Sequence, residues 1–397
     1  MTTARWPKWI TDWPDYWQDT AQRSILYMDI MRKRGNNYLD HLHKGQPPVL
    51  VFEYDTILDG RTFERPANYA LVRIISRRDE NKAERRQSST SSVPEYRDRR
   101  DGSSDRRHQT SVAREAPNAV SRPIIIFDPR AGHGPGIGGS KQDSQIGMAI
   151  DAGHPVYFLI FFTDPMPGQT LADVRDAQIR FVEAVRQRHP EAPRPAIIGN
   201  CQGGWAAALV AAERPDLVGP MVFNGSPLSY WAGVEGVNPL RYLGGLLGGV
   251  WTASMLSDLG DGIFDGAHLV SNFENLNPAN TFWSKQYHLF ANVDTEEQRY
   301  LEFEKWWGGF FLMTAQEIHQ IVDGLFIGNQ LERGEFKLEG ERFVDLKRNL
   351  NPVVLFASFG DNITPPQQAF NWIINTYGRV EEIKRRGQVI VYVVDSD

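Results

Sequence analysis

The stretch 195-PAIIGNCQGGWAAA-208 places the chain's single cysteine, Cys201, between Gly199 and Gly203, where a β-branched run gives way to alanines. Such a junction reads as strand, sharp turn and helix, and a side chain at that turn stands above the sheet in strained backbone. Glycines two before and two after the cysteine let neighbouring backbone pack without Cβ clashes. A helix beginning at Cys201 aims its amide-rich end at the thiol. That end is expected to favour the thiolate and to offer the Gln202 amide as one oxyanion donor. The chemistry would be nucleophilic attack on a carbonyl carbon. The plain alternative is a small core cysteine beside a turn.

A nucleophile of this kind needs an acid, a second oxyanion donor and a base. The run PVVLFASFGDNITPPQQA puts Asp361 just past a later apolar strand, before a helix whose start Thr364, Pro365 and Gln367 should cap. Nucleophile before acid is the α/β-hydrolase order. The loop 128-DPRAGHGPGIGGSK-141 follows the run PIIIF, and Gly132, His133 and Gly134 are its candidate oxyanion residues. Its Gly134, Gly136 and Gly139 also spell G-x-G-x-x-G. Pro135 stiffens that turn, and no acidic residue ends the next strand at the spacing a dinucleotide site needs. The base is missing from where it belongs: no histidine follows His319, and the sequence stops three residues after the last apolar run. His288 and His319 would need unusual geometry to substitute. The expectation is a copy cut short before its catalytic histidine.

The elements that must hold these residues follow from apolar periodicity. PIIIFD, PVYFLIFF, PAIIG, PMVFN, PVVLFAS and QVIVYVV are continuous apolar runs of the buried parallel-strand type. Helical segments over 141–152, 170–188, 203–213 and 365–377 lie between them, which predicts a doubly wound, mostly parallel sheet. VLVFEY (50–55) and ANYALVRIIS (67–76) read as earlier strands. Trp13, Trp17, Ala21, Ile25 and Met28 recur at helical steps, predicting a helix that Gly35 ends and that packs this face on the main domain. The organisation is therefore an N-terminal helical segment (1–48), first core strands (49–76), an insertion (77–122), the core with its elbow (123–224), a helical lid insertion (225–350) and the end of the core (351–397).

From Arg77 to Arg114 there are eleven Lys or Arg and seven Asp or Glu, and almost nothing apolar. Such a segment cannot bury enough surface to offset its ordering entropy, so disorder is expected. Over the 397 residues the formal charge is -6, which argues against a nucleic-acid groove. One cysteine excludes an intramolecular disulfide, and the nine histidines show no metal-ligand spacing, so neither metal nor cofactor is expected. GGLLGGVWTASML (244–256) is too short and glycine-rich to span a bilayer. No signal peptide is read at the start, and a cytoplasmic protein is the default. A homo-oligomer is left open.

The elbow, the lid insertion and FGDNITPP resemble the polyhydroxyalkanoate synthases, α/β-hydrolase-fold enzymes with a catalytic cysteine in a Gly-x-Cys-x-Gly box. More closely, RPIIIFDPRAGHGPGIGG, AGHPVYF, IGNCQGGW, GSPLSYWAG, NFENLNPANTFWSKQY, FEKWWGG and GDNITPPQQA resemble a bacterial family of largely uncharacterised, synthase-like proteins. The resemblance implies Cys201 as nucleophile, Asp361 as the acid orienting a histidine, and an acyl thioester such as a hydroxyacyl-CoA, or an ester, as substrate. The other reading is a catalytically impaired scaffold that binds a ligand or partner.

Overall fold

The computed structural model describes residues 8–75, 121–233, 246 and 248–396. The chain opens with α1 (Lys8–His43), followed by β1 (Tyr54–Asp59) and β2 (Tyr69–Ile74). Then come β3 (Ile124–Phe127), α2 (Gln145–Asp151), β4 (Val156–Phe161), α3 (Leu171–Arg188), β5 (Ala196–Asn200), α4 (Gln202–Glu213) and β6 (Met221–Asn224). The lid carries α5 (Trp251–Leu259), β7 (Ile263–Asp265), α6 (Gly266–Glu274), α7 (Lys285–Ala291), α8 (Glu297–Trp307), β8 (Leu312–Thr314), α9 (Ala315–Ile321) and α10 (Gln330–Arg333). The chain returns through β9 (Val353–Ser358), α11 (Pro366–Phe370), α12 (Trp372–Tyr377), α13 (Val380–Arg385) and β10 (Ile390–Asp395).

Eight strands form one sheet in the order β1-β2-β4-β3-β5-β6-β9-β10. β2 runs antiparallel to both neighbours, and the strands from β4 to β10 are parallel. This is the arrangement of the α/β-hydrolase fold, with the β5–α4 turn at mid-sheet. The apolar runs are strands because both faces are covered: all six residues of β4 are buried. α3 starts where Thr170 and Asp173 form a reciprocal capping box.

Several local expectations are corrected. Gly35 does not end α1; the helix continues to His43 and stops where Gly45 takes φ +73°. Tertiary contacts outweigh the roughly 1 kcal/mol cost of a mid-helix glycine. The stripe read as packing is turned outward, with Trp17 54% and Ile25 68% exposed. The face that docks carries Tyr27, Ile30 and Met31, which meet Leu289, Val293 and Tyr300 of the lid. Lys33 to Glu297 at 2.6 Å and Arg34 to Glu304 at 2.8 Å fix that rotation. The strand read from residue 50 begins at Tyr54. The helix read over 365–377 is two short ones. Its cap is not a capping box: Pro365 occupies the N-cap, and the Thr364 hydroxyl is buried without a partner. The charged stretch 77–120 lies outside the described residues. Among those described, no helix is long and apolar enough to cross a membrane.

The lid is tied to the core through a buried ion pair. Arg130, in the loop after β3, donates to Glu317 of α9 at 2.7 Å, to Asn68 at 3.0 Å and to the Leu312 carbonyl at 2.8 Å. Gln169 closes the ring by donating to Glu317 at 2.8 Å and to Asn68 at 2.9 Å. Removing one partner strands a buried charge, so Glu317→Ala is expected to cost about 3–5 kcal/mol in denaturant unfolding. A loss under about 1 kcal/mol would show that the pair does not hold the lid.

Candidate active site

β5 ends in Gly199 and Asn200, and the chain turns into α4 within one residue. Cys201 takes φ 48°, ψ -123°, a conformation that an L residue occupies only when its surroundings force it. Those surroundings are close-packed backbone. A Cβ on Gly199 would lie 2.5 Å from the Gly204 Cα, one on Gly203 would overlap the Phe127 carbonyl, and one on Gly204 would overlap the Ser226 side chain. The Cys201 amide donates to the Asn224 carbonyl at 2.8 Å, and Ser226 Oγ donates to the Gly199 carbonyl at 3.1 Å. Below the turn Asn200 exchanges hydrogen bonds with Gln145 at 2.8 and 2.9 Å and accepts from Asn224 at 3.0 Å.

The structure brings Asp361 to this turn. It follows β9, its Oδ1 accepts from the Ile363 and Thr364 amides at 2.9 Å each, and its Oδ2 faces Gly225 at the end of β6. Asp361 is thus a turn residue and an acid beside the elbow at once. It lies close enough for its charge to act on the Cys201 thiol.

That charge acts against the expectation for the thiol. Burial pushes Cys201 up from 9.0 to about 12; Asp361 and Asp128 add to the rise, and the Gln202 amide opposes it. The helix end therefore does not make this cysteine a thiolate near neutrality. No described histidine hydrogen-bonds to Cys201 or Asp361. His288 faces Glu296 at 3.7 Å on the lid's outer surface, and His319 Nε2 is buried on α9 without a partner.

The loop after β3 divides its duties. Asp128, a buried carboxyl pushed well above its ordinary range by desolvation, accepts from the Gly136 and Ile137 amides and braces the loop. Gly203 packs on Phe127 and Asp128, so the residues directly after β3 are the ones nearest the elbow. Residues 132–134 instead hold the lid. The Gly134 amide donates to the Gly309 carbonyl at 2.9 Å, and the Gly132 carbonyl accepts from Phe311 at 3.0 Å. The Gly134 amide, expected to be an oxyanion donor, is thereby committed elsewhere. His133 is buried with its ring 4.2 Å from that of Trp306, and burial holds it down to about 4, so it is neutral. Among the described residues, neither Gly132 nor His133 hydrogen-bonds to Cys201.

Side chains that sequence reasoning missed complete the surroundings. Tyr230, after β6, is buried against Phe326 at 4.8 Å and lies within electrostatic reach of Cys201. Trp205, one turn into α4, approaches the Tyr230 hydroxyl without meeting hydrogen-bond geometry. Both sit within blocks already conspicuous in the sequence, GSPLSYWAG and IGNCQGGW, but nothing in their spacing shows that they meet.

Sheet order and elbow together define an α/β-hydrolase-fold protein with cysteine at the nucleophile turn. Residues 19–91 and 109–397 match the family described as "Protein of unknown function (DUF3141)", and the chain belongs to that family. It is 46% identical over 386 residues to a Rhizobium meliloti protein described as "Uncharacterized protein in ackA 5'region", covering 97% of this chain and 48% of that one. The chain therefore spans about half the length of that relative. Among solved structures it is similar to carboxylesterase CesB (YbfK) from Bacillus subtilis, at 11% identity and a TM-score of 0.42 over 96% of this chain and 91% of that one. It is also similar to a carboxylesterase of Nitrososphaera gargenis, at 15% identity and a TM-score of 0.39 over 70% and 84%. Likeness at this level says nothing of chemistry, and the synthase likeness rests on the motifs alone.

Two measurements follow from the elbow. Cys201→Gly should be more stable than Cys201→Ala by about 1 kcal/mol, because only the alanine keeps the strained Cβ; equal midpoints in denaturant would remove the strain. Alkylation of the lone thiol by iodoacetamide should be slower at pH 8 than for a free cysteine and still rise above pH 10, with Asp361→Asn moving the midpoint down. A midpoint below about 8.5 would contradict the burial argument.

Proposed function

We propose that this chain carries the acyl-transfer site of a cysteine-dependent acyltransferase or thioesterase acting on an acyl thioester such as a hydroxyacyl-CoA. The reading is carried by one observation: Cys201 is held in strained backbone at the strand-to-helix turn, with the Gln202 amide at its sulfur and Asp361 across the end of β6. Strain of roughly 1–3 kcal/mol is retained where it places a reacting atom.

In the proposed step the Cys201 sulfur attacks the thioester carbonyl and the carbonyl electrons move to oxygen, facing the Gln202 amide. Collapse breaks the carbon–sulfur bond of the substrate. The thiol proton of Cys201 ends on the leaving sulfur, leaving an acyl-enzyme and a free thiol. One thioester replaces another, so the exchange is nearly balanced in energy. Water or a hydroxyl acceptor then takes the acyl group and returns the proton to Cys201. Asp361 would orient an imidazole that shuttles these protons, a group that none of the described histidines supplies.

A second reading, a ligand-binding scaffold without turnover, is favoured by the thiol being held protonated. Intact-mass measurement with 4-nitrophenyl thioacetate and 3-hydroxybutyryl-CoA, with and without added imidazole, separates the two. Acyl transfer predicts one acyl adduct on Cys201, absent in Cys201→Ala and accelerated by imidazole, with a full general base worth about 100-fold or more. Binding of the acyl-CoA with no adduct at any imidazole concentration would establish the scaffold instead.

A further inference from the structure

An oxyanion that forms at Cys201 needs more than one donor, and the amide of Gly134 is occupied by Gly309. Buried polar groups without partners show where the rest of the binding lies. Ten such side-chain atoms occur among the described residues. Six of them belong to Gln202 and Trp205 on α4, Ser229 and Tyr230 after β6, and Thr364 and Gln368 at the start of α11. These are neighbours: the Leu228 and Ser229 amides donate to the Gln368 carbonyl at 3.1 and 3.0 Å, and Thr364 donates its amide to Asp361. An unpaired buried polar atom costs about 1–3 kcal/mol, so a group of them on the segments that flank the elbow points to a polar ligand there.

Within the group, Tyr230 and Trp205 are donors. Tyr230 is 8% exposed and Trp205 5%, and neither polar atom has a protein partner at hydrogen-bond geometry. The Tyr230 backbone is pinned by its amide donating to Asn329 Oδ1 at 3.0 Å, and its ring by Phe326. The indole N–H of Trp205 can face only an acceptor, and the nearby phenol oxygen is one, which leaves the phenol O–H to donate outward. We infer that the Tyr230 hydroxyl, backed by Trp205, is a side-chain oxyanion donor that works with the Gln202 amide on the acyl carbonyl. Its phenol is held well above its ordinary range by burial and by the neighbouring thiol, so it stays protonated and able to donate. The inference rests on the acyl-transfer reading above.

Tyr230→Phe removes only the hydroxyl, and the one group it deprives of an acceptor is the Trp205 indole N–H, which already falls short of hydrogen-bond geometry, so folding should be retained. The full chain, wild type and Tyr230→Phe, is treated with 4-nitrophenyl thioacetate in the presence of imidazole and, separately, with iodoacetamide. Acylation passes through an oxyanion, whereas displacement of iodide at a saturated carbon does not. The expected result is an acylation rate lower by about 100-fold with iodoacetamide alkylation changed by less than about twofold. An equal fall in both rates would make Tyr230 a support of the thiol or the fold, and unchanged acylation would remove it from the reaction; either overturns the inference. Trp205→Phe should give a smaller loss of the same selective kind. Wild-type protein that alkylates but never acylates overturns the acyl-transfer reading itself, a result separate from a Tyr230 failure.

Discussion

The structure depends on how closely α4 approaches the ends of β3, β5 and β6. Three glycines make the approach possible: Gly199 accepts the first turn of the helix over it, Gly203 rests on the Phe127 carbonyl, and Gly204 rests on Ser226. With any Cβ at these points the helix would have to start further out, and the chain at residue 201 could then relax. Because it cannot, Cys201 is forced to positive φ. The site's geometry is thus a by-product of close packing at the centre of the sheet.

The same closeness sets the electrostatics. A helix N-terminus stabilises an adjacent anion by about 0.3–2 kcal/mol, an effect that falls off within one turn. Against it stand removal of the thiolate from water and two carboxylates, Asp361 and Asp128, in range. Desolvation wins, so the thiol remains neutral until a base takes its proton. Under the proposed reaction the helix end would act later, where the Gln202 amide would meet negative charge that forms only in the transition state.

What was legible in the sequence follows the same physics. Buried parallel strands show themselves as unbroken apolar runs because both faces are covered, and the elbow shows itself because only glycine tolerates such contacts. α1 was misread since its apolar residues occupy two faces, and which one docks is decided by Glu297 and Glu304 of the lid, more than 250 residues away. Thr364 looked like a cap because a hydroxyl before a proline-led helix usually is one; here it is turned into the buried polar group near Asp361. Helix polarity can be read from sequence and burial cannot, so the desolvation that opposes the helix end at the thiol was not legible there. Tyr230 and Trp205 were invisible as a pair for a similar reason. They are joined only when the segment after β6 folds back under the lid.

The loop after β3 shows what its glycines, read as oxyanion candidates, pack against. Its glycines suggest approach to a substrate, yet Gly132 takes φ +100° and lies against Gly266, and Gly134 sits where a Cβ would overlap the Phe311 ring. These glycines let the lid, rather than a ligand, come close. Arg130 anchors α9 from the same loop through its pair with Glu317. One loop therefore carries both the wall of the elbow and the attachment of the lid. Any displacement of α9 from the core must work against a buried ion pair. Close packing at the elbow thus continues through Asp128 and Arg130 to α9, the lid element that Glu317 ties to the core.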